Sequence, residues 1–324
     1  MVEVEKYREH FLKYMNEKVN LKEPKNLYEP ILYILNLGGK RLRPILTLLA
    51  TDAFEGDVEK ALDAALAIEI FHNFSLVHDD IMDDAPLRRG KDTVHEKWDI
   101  NTGILSGDAM LINAYQLFEN YNNDIFKQLA QLFTKTAIEV CEGQQYDVDY
   151  EESDTVSIPE YLQMIKYKTA VLVGAALQMG AIIAKASKKD EQLIYDFGCN
   201  LGLAFQLQDD YLDVFGNPET FGKQIGGDII ENKKTFLYLK SLELLDQDES
   251  EQLKHLYSIS PLNPAQKIET VRGLFVKSGA AGLAKQEIEK YTSTALKHLQ
   301  DLEMKPEKKQ RFTTFAKDLM TRNV

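Results

Sequence analysis

Cysteine is nearly missing from the 324 residues: Cys141 and Cys199 stand far apart and without metal-type spacing. That argues against a disulfide framework or a thiolate zinc site, and both are expected to be buried thiols of a reducing, cytoplasmic compartment. Basic residues are also in deficit, 38 against 51 acidic, for a net charge of −13. A general nucleic-acid binder carries the opposite balance, although a local group of Lys, Arg or bound metal can still receive an anion. Long apolar runs are absent: the longest, AVLVGAALQMGAIIA at 170–184, is too short and too interrupted by glycine for a membrane span, and reads as a core helix. The first residues, MVEVEKYREHFLKYMNEK, are charged and amphipathic, so no signal peptide is expected. Neither GxGxxG nor GxxxxGK[ST] occurs, and zinc-protease and nucleophile-elbow patterns are missing. The sequon Asn73-Phe74-Ser75 falls inside an apolar helix and is discounted.

What is there is helical periodicity. Apolar residues recur at 3.6-residue spacing, β-branched alternation is scarce, and Gly38-Gly39, Pro44, Pro86, Pro159, Pro218 and Pro261 punctuate the segments. No linker, low-complexity tract or short repeat divides the chain, so one all-α domain over 1–324 is expected, with about ten to twelve helices. Residues 147–158 (DVDYEESDTVSI) read as a surface loop, and Ser157-Ile158-Pro159-Glu160 as a helix start. From about 240 onward charged residues with periodic Leu are expected to supply packing and a cap over the core.

Residues 58–85 read as one long helix ended by Pro86, and it finishes in LVHDDIMDDA. On it Asp79 and Asp83 are i,i+4 neighbours, like charges that repel each other and a negative helix C-terminus. A solvated helix end explains such a cluster about as well as a metal does. FQLQDDYLD at 205–213 repeats the arrangement with Asp209, Asp210 and Asp213, again closing an apolar helix, with Gln206 one turn earlier. Two such ends facing one another could hold several Mg²⁺, a hard cation suited to carboxylate, phosphate and water oxygens, and through it a diphosphate.

Cations accompany the acids. GGKRLRP places Lys40, Arg41 and Arg43 after a Gly-Gly turn at a helix start, a plausible anion site that could equally be a basic turn in solvent. Arg88 and Arg89 follow the first cluster; Lys168-Thr169, Lys223 and Lys233 are lone basic points, each unremarkable alone. His72, seven residues before Asp79, lies on the same stripe about 10 Å down the axis. Trp98 and His95 are expected to pack or cap rather than react.

GGKRLRP, LVHDDIMDDAPLRRG, KTA, FQLQDDYLD and GKQIGGDIIENKKT, in that order over nearly the whole chain, resemble the trans-isoprenyl diphosphate synthases (polyprenyl synthetases), the family of farnesyl and geranylgeranyl diphosphate synthases. The resemblance implies a helical bundle around a central cavity, a homodimer, and condensation of isopentenyl diphosphate with allylic prenyl diphosphates. It implies three Mg²⁺ held by Asp79, Asp80 and Asp83 and by Asp209, Asp210 and Asp213, with Asp79, Asp83 and Asp209 as direct ligands. Lys40, Arg43, His72 and Arg89 match the isopentenyl diphosphate site; Arg88, Lys168, Thr169, Gln206, Lys223 and Lys233 match contacts to the allylic diphosphate. Phe74 and Ser75, five and four residues before the first motif, match the cavity floor, and the aromatic there implies a short C15–C20 product, with C20 favoured. A terpene cyclase usually lacks this combination of basic motifs with a second DDxxD; a regulatory subunit of a prenyl synthase typically loses one aspartate motif; a metal-dependent diphosphate hydrolase stays open on the residues alone. Asp84 has no assigned role.

Overall fold

The computed structural model describes residues 2–153, 155–217 and 225–320. Within them the chain is helical almost throughout and divides into two compact units, Met1–Thr136 with Ala175–Tyr195, and Ala137–Gly174 with Asp196–Val324. The division falls within α7 (Asn123–Glu152), α9 (Val171–Ile183) and α10 (Lys188–Phe215).

The first unit is built on α4 (Leu62–Met82). From Ala64 to Phe71 every residue is buried, the mark of a helix enclosed on all sides rather than laid on a surface. It is enclosed by α1 (Val2–Lys18), α3 (Leu42–Ala53) and α6 (Ile100–Gln116), with α2 (Lys25–Asn36) against α6. Aromatic rings extend this core: Phe71 lies 5.0 Å from Phe133, which meets Tyr115 at 4.7 Å and Phe118 at 5.2 Å. Each such buried ring contributes on the order of 2 kcal/mol from area alone. The expected helix over 58–85 is shorter at both ends. Asp57 accepts the Glu59 amide at 3.2 Å and starts a 3₁₀ turn at Val58–Ala61, while the last helical residue is Met82. A two-stranded hairpin, β1 (Leu87–Arg88) and β2 (Lys91–Asp92), follows, then the single turn α5 (Val94–Lys97).

In the second unit α8 (Ile158–Ile165) starts on the expected signal, a reciprocal capping box between Ser157 and Glu160. A π-helical turn, Lys166–Ala170, separates α8 from α9. After α10 come α11 (Gly227–Ile230), α12 (Phe236–Leu244), α13 (Gln247–Leu256), α14 (Ala265–Lys277), α15 (Ala280–Asp301) and α16 (Pro306–Met320). Residues beyond 240 do more than cap: Leu253, Val271, Phe275 and Ala280 are buried in one cluster with Tyr161, Leu207, Ile229 and Phe236.

Two expectations are corrected. The loop expected at 147–158 is helical as far as Glu152, because Tyr146 and Tyr150 stack one turn apart at 5.8 Å and Lys234 Nζ donates to the Tyr150, Glu151 and Ser153 carbonyls. Lys234 thus supplies the C-terminal cap that the local sequence lacks. Of the two cysteines Cys199 is buried, but Cys141 is exposed, on an outward face of α7. The 170–184 run is a core helix as expected, with Val171, Leu172, Ala175–Leu177, Met179 and Ala181–Ile183 buried. No helix among the described residues is long and apolar enough to cross a membrane.

Candidate active site

In the first unit the aspartates occupy the last turn of α4 and its cap. Asp80 is 1% exposed and is gripped by Arg88 from the hairpin: Nε lies 2.7 Å from Oδ1 and 2.8 Å from Oδ2, and Nη2 lies 2.7 Å from Oδ1. Burial raises the Asp80 carboxyl above the ordinary range even against this pairing. Arg88 also reaches Asp79 at 3.5 Å. Asp79 is partly exposed; Asp83 caps the helix, its amide donating to the Asp79 carbonyl at 2.9 Å, and its side chain is exposed.

The tip of the hairpin turns through Arg89 (φ 54°) and Gly90 (φ 74°), both left-handed, the geometry of a tight type I′ connection. This throws the Arg89 guanidinium onto the Gly38 carbonyl. Gly39, at φ 120°, is required on two counts, since a Cβ there would sit 2.9 Å from that guanidinium. Beyond it Arg41 enters the core as N-cap of α3 and pairs with Glu69 and the Leu35 carbonyl, while Asn73 donates to Glu69 Oε1 at 3.0 Å. Arg41 is therefore a strut between the Gly-Gly turn and α4, and the buried Asn73 has no place for a glycan. Lys40 is exposed and Arg43 half-buried. Burial lowers Arg43 to about 10, with Glu69 opposing. Burial and then Arg43, Arg89, Arg88 and Arg41 push His72 well below the usual histidine range. A neutral imidazole in the field of four guanidiniums describes an anion-receiving surface.

Below, Phe74 is buried, its ring 4.8 Å from His78 and 5.5 Å from Phe71. Ser75 is half-buried and its Oγ donates to the His72 carbonyl at 2.8 Å.

In the second unit Asp210 repeats the part of Asp80. It is 7% exposed and accepts from Tyr161 Oη and from Gln206 Nε2, the latter at 2.9 Å; Thr169 Oγ1 in turn donates to Gln206 Oε1 at 3.2 Å. Burial pushes Asp210 up to about 6, against those hydrogen bonds. Asp213 Oδ2 accepts the Asp228 amide at 3.0 Å at the start of α11. Asp209 is partly exposed.

Tyr161, Thr169, Gln206 and Asp210 line a cavity of about 130 Å³ with Asp147, Lys168, Asp228 and Lys233. Lys168 Nζ lies 2.5 Å from Asp147 Oδ2. It stands on the π-turn, which approaches α7 closely enough that a Cβ on Gly143 would collide with the Lys168 amide nitrogen and lie 2.7 Å from the Tyr167 carbonyl carbon. Lys233 Nζ pairs with Glu231 at 2.9 Å; burial opposes its charge, but Glu231 and Asp228 outweigh it and raise its pKa. Burial, then Asp210 and Asp213, push Asp228 up to about 8.

The structure thus gathers Asp79, Asp80, Asp83, Arg43, His72, Arg88 and Arg89 in one unit, and Lys168, Thr169, Gln206, Asp210 and Lys233 around one cavity in the other. Lys223 lies outside the described residues. Asp147, Tyr161 and Asp228 were missed by the sequence reasoning. Only Asp228 carried a signal, as the acid of IGGD beside an expected cation.

Carboxylate oxygens of this kind fit Mg²⁺. In each Asp-Asp pair the second member is buried and held by protein donors, while the first is partly exposed and offers oxygens of the hard type.

Comparison with known proteins agrees with the chemistry. The polyprenyl synthetase family model matches residues 24–274. The geranylgeranyl pyrophosphate synthase of Geoglobus acetivorans is 36% identical over 301 residues, 91% of this chain and 92% of its own. A crystal structure of a geranylgeranyl pyrophosphate synthase superposes with a TM-score of 0.95 at 56% identity, covering 99% of each chain. The geranylgeranyl pyrophosphate synthase from Corynebacterium glutamicum, complexed with isoprenyl diphosphate and magnesium, gives a TM-score of 0.85 at 25% identity over 99% of this chain and 98% of its own. With both aspartate motifs and their cations inside the matched span, the chain belongs to the polyprenyl synthetase family.

Proposed function

We propose that this protein is a trans-prenyltransferase that condenses isopentenyl diphosphate with allylic prenyl diphosphates to a short-chain prenyl diphosphate, C20 favoured over C15. The observation that carries it is the parallel between the two aspartate pairs: Asp80 locked by Arg88, and Asp210 locked by Tyr161 and Gln206. Locking the second carboxylate fixes the turn that presents the first, so Asp79, Asp83 and Asp209 are the metal ligands of this reading. Three Mg²⁺ are proposed; when bound, they neutralise the departing diphosphate and assist ionisation of the allylic C–O bond. Lys168, Thr169, Gln206, Lys233, Arg88 and Lys223 orient that diphosphate. Lys40, Arg43, Arg89 and neutral His72 hold the isopentenyl diphosphate so that its double bond meets the allylic cation. A proton is then lost to the released diphosphate. Apolar side chains such as Phe74 and Phe71 keep water from the cation.

The remaining parts of the reading have their own support. The family match runs through both units, which favours one functional domain over 1–324. Ile100, Ile104, Leu105 and Ile112 are all at least 40% exposed on α6, an apolar stripe that favours a homodimer. Neither cysteine is in a disulfide, which favours a cytoplasmic setting. Nothing in the charge balance favours nucleic acid.

The test is incubation of the purified protein with isopentenyl diphosphate and a C5, C10 or C15 allylic diphosphate, with Mg²⁺ or EDTA. Mg²⁺-dependent elongation is expected, with Asp79→Asn or Asp209→Asn lowering kcat about 100-fold or more. Release of diphosphate without elongation would instead mark a hydrolase.

A further inference from the structure

Asp84, unassigned in the reaction, lies beside two residues that the reaction does not use. The chain leaves α4 with Asp84 in the left-handed region (φ 48°). The turn is then tied back: Thr93 donates from Oγ1 to the Ala85 carbonyl at 2.8 Å and from its amide to the Pro86 carbonyl at 3.1 Å. This tie carries α5 against the turn, and one donor atom from each of Asp84, His95 and Glu96 falls within 4.8 Å of the others.

The decisive group is His95. It is 8% exposed, yet among the described residues neither ring nitrogen has a hydrogen-bond partner. A buried imidazole has two ring nitrogens that each call for a partner, and leaving both unmet destabilises the site. Its Nε2 stands 3.8 Å from Glu96 Oε1. That is too far for a hydrogen bond, but two ligands each about 2.0–2.2 Å from one ion can stand that far apart. Asp84 and Glu96 are exposed, so their carboxylates can close the remaining distance without disturbing the core.

We propose that Asp84, His95 and Glu96 bind one borderline divalent transition-metal ion, best matched by Zn²⁺, at a site separate from the Mg²⁺ ligands. One imidazole with two carboxylates selects Zn²⁺ or Co²⁺ over Mg²⁺, which takes oxygen ligands and dehydrates reluctantly. Water completes the coordination on the exposed side. The ion clamps the turn after Asp83 onto α5 and has no part in the chemistry.

The test uses chelator-stripped protein in millimolar Mg²⁺, so that hard oxygen sites are occupied, titrated with Zn²⁺ by calorimetry and with Co²⁺ by visible absorption. The wild type should take one more equivalent than Asp84→Asn/Glu96→Gln, at least tenfold more tightly, with the stronger visible bands of a nitrogen-ligated Co²⁺. The double variant changes only exposed side chains; with circular dichroism unchanged, it should keep its Mg²⁺-dependent elongation. Equal stoichiometry and affinity in the two proteins would overturn the proposal, as would a Co²⁺ spectrum typical of oxygen ligands alone.

Discussion

Arg88 and Asp80 form a buried, three-contact clamp between the hairpin and the end of α4, with every nitrogen–oxygen distance at 2.7 or 2.8 Å. Removing the arginine strands a carboxylate that is 1% exposed, whereas Asp79 is itself partly exposed. Arg88→Ala should therefore cost about 2 kcal/mol or more in denaturant unfolding as well as activity. Asp79→Asn should cost activity with stability nearly unchanged. Equal stability losses for the two would contradict the division between a structural and a ligating aspartate.

Gly39 gives Arg89 its seat. Gly39→Ala puts a methyl group 2.9 Å from the guanidinium at a φ of 120°, so the side chain must leave the Gly38 carbonyl. The expected result is a rise in KM for isopentenyl diphosphate of about tenfold, with KM for the allylic substrate little changed. Steady-state kinetics with each substrate varied in turn would show it, and equal effects on both KM values would argue against the assignment of Arg89.

Phe74 lies one and a half turns before Asp79, packed on His78 and Phe71. Phe74→Ala should shift the product toward longer chains, read by chromatography of the dephosphorylated alcohols. It should also cost about 3 kcal/mol of stability, since a buried ring is lost. A destabilised variant with the wild-type product would remove Phe74 from the floor.

The Asp228 carboxyl stands at about 8 and Asp210 at about 6, against 3.8 for an ordinary aspartate. Acids with raised pKa values bind more protons folded than unfolded, so metal-free stability should fall as pH rises from about 4 through 8. The slope from one such group is at most about 1.4 kcal/mol per pH unit. Thermal unfolding in EDTA between pH 5.5 and 8 should show the decline, and Asp228→Asn should flatten it. A flat profile in the wild type would mean that Asp228 stays ionised.

Much of this was legible before any coordinates. The capping box at Ser157, the core helix at 170–184 and the Asp-Asp spacing are local signals, and local physics decides them. What stayed hidden depends on partners distant in sequence. Asp147 precedes Lys168 by 21 residues and reads as one more acid in a charged stretch. The last turns of the helix that bears it read as a loop in sequence, because their cap comes from Lys234, more than 80 residues on. Asp213 looked equivalent to Asp83, and only the tertiary fold sets it beneath the Asp228 amide.

The π-turn at Lys166–Ala170 adds one residue to a helical repeat, and so sets α9 about 100° out of phase with α8. Lys168 and Thr169 stand at this phase slip. The rotation that aims them at the cavity is thereby independent of the one that buries α9. Substitutions can accumulate along α9 under packing constraints alone without steering the two polar groups. Deleting a single residue from 166–170 would restore continuous α-helix, and would force the protein to keep either its core register or its cavity-lining cation.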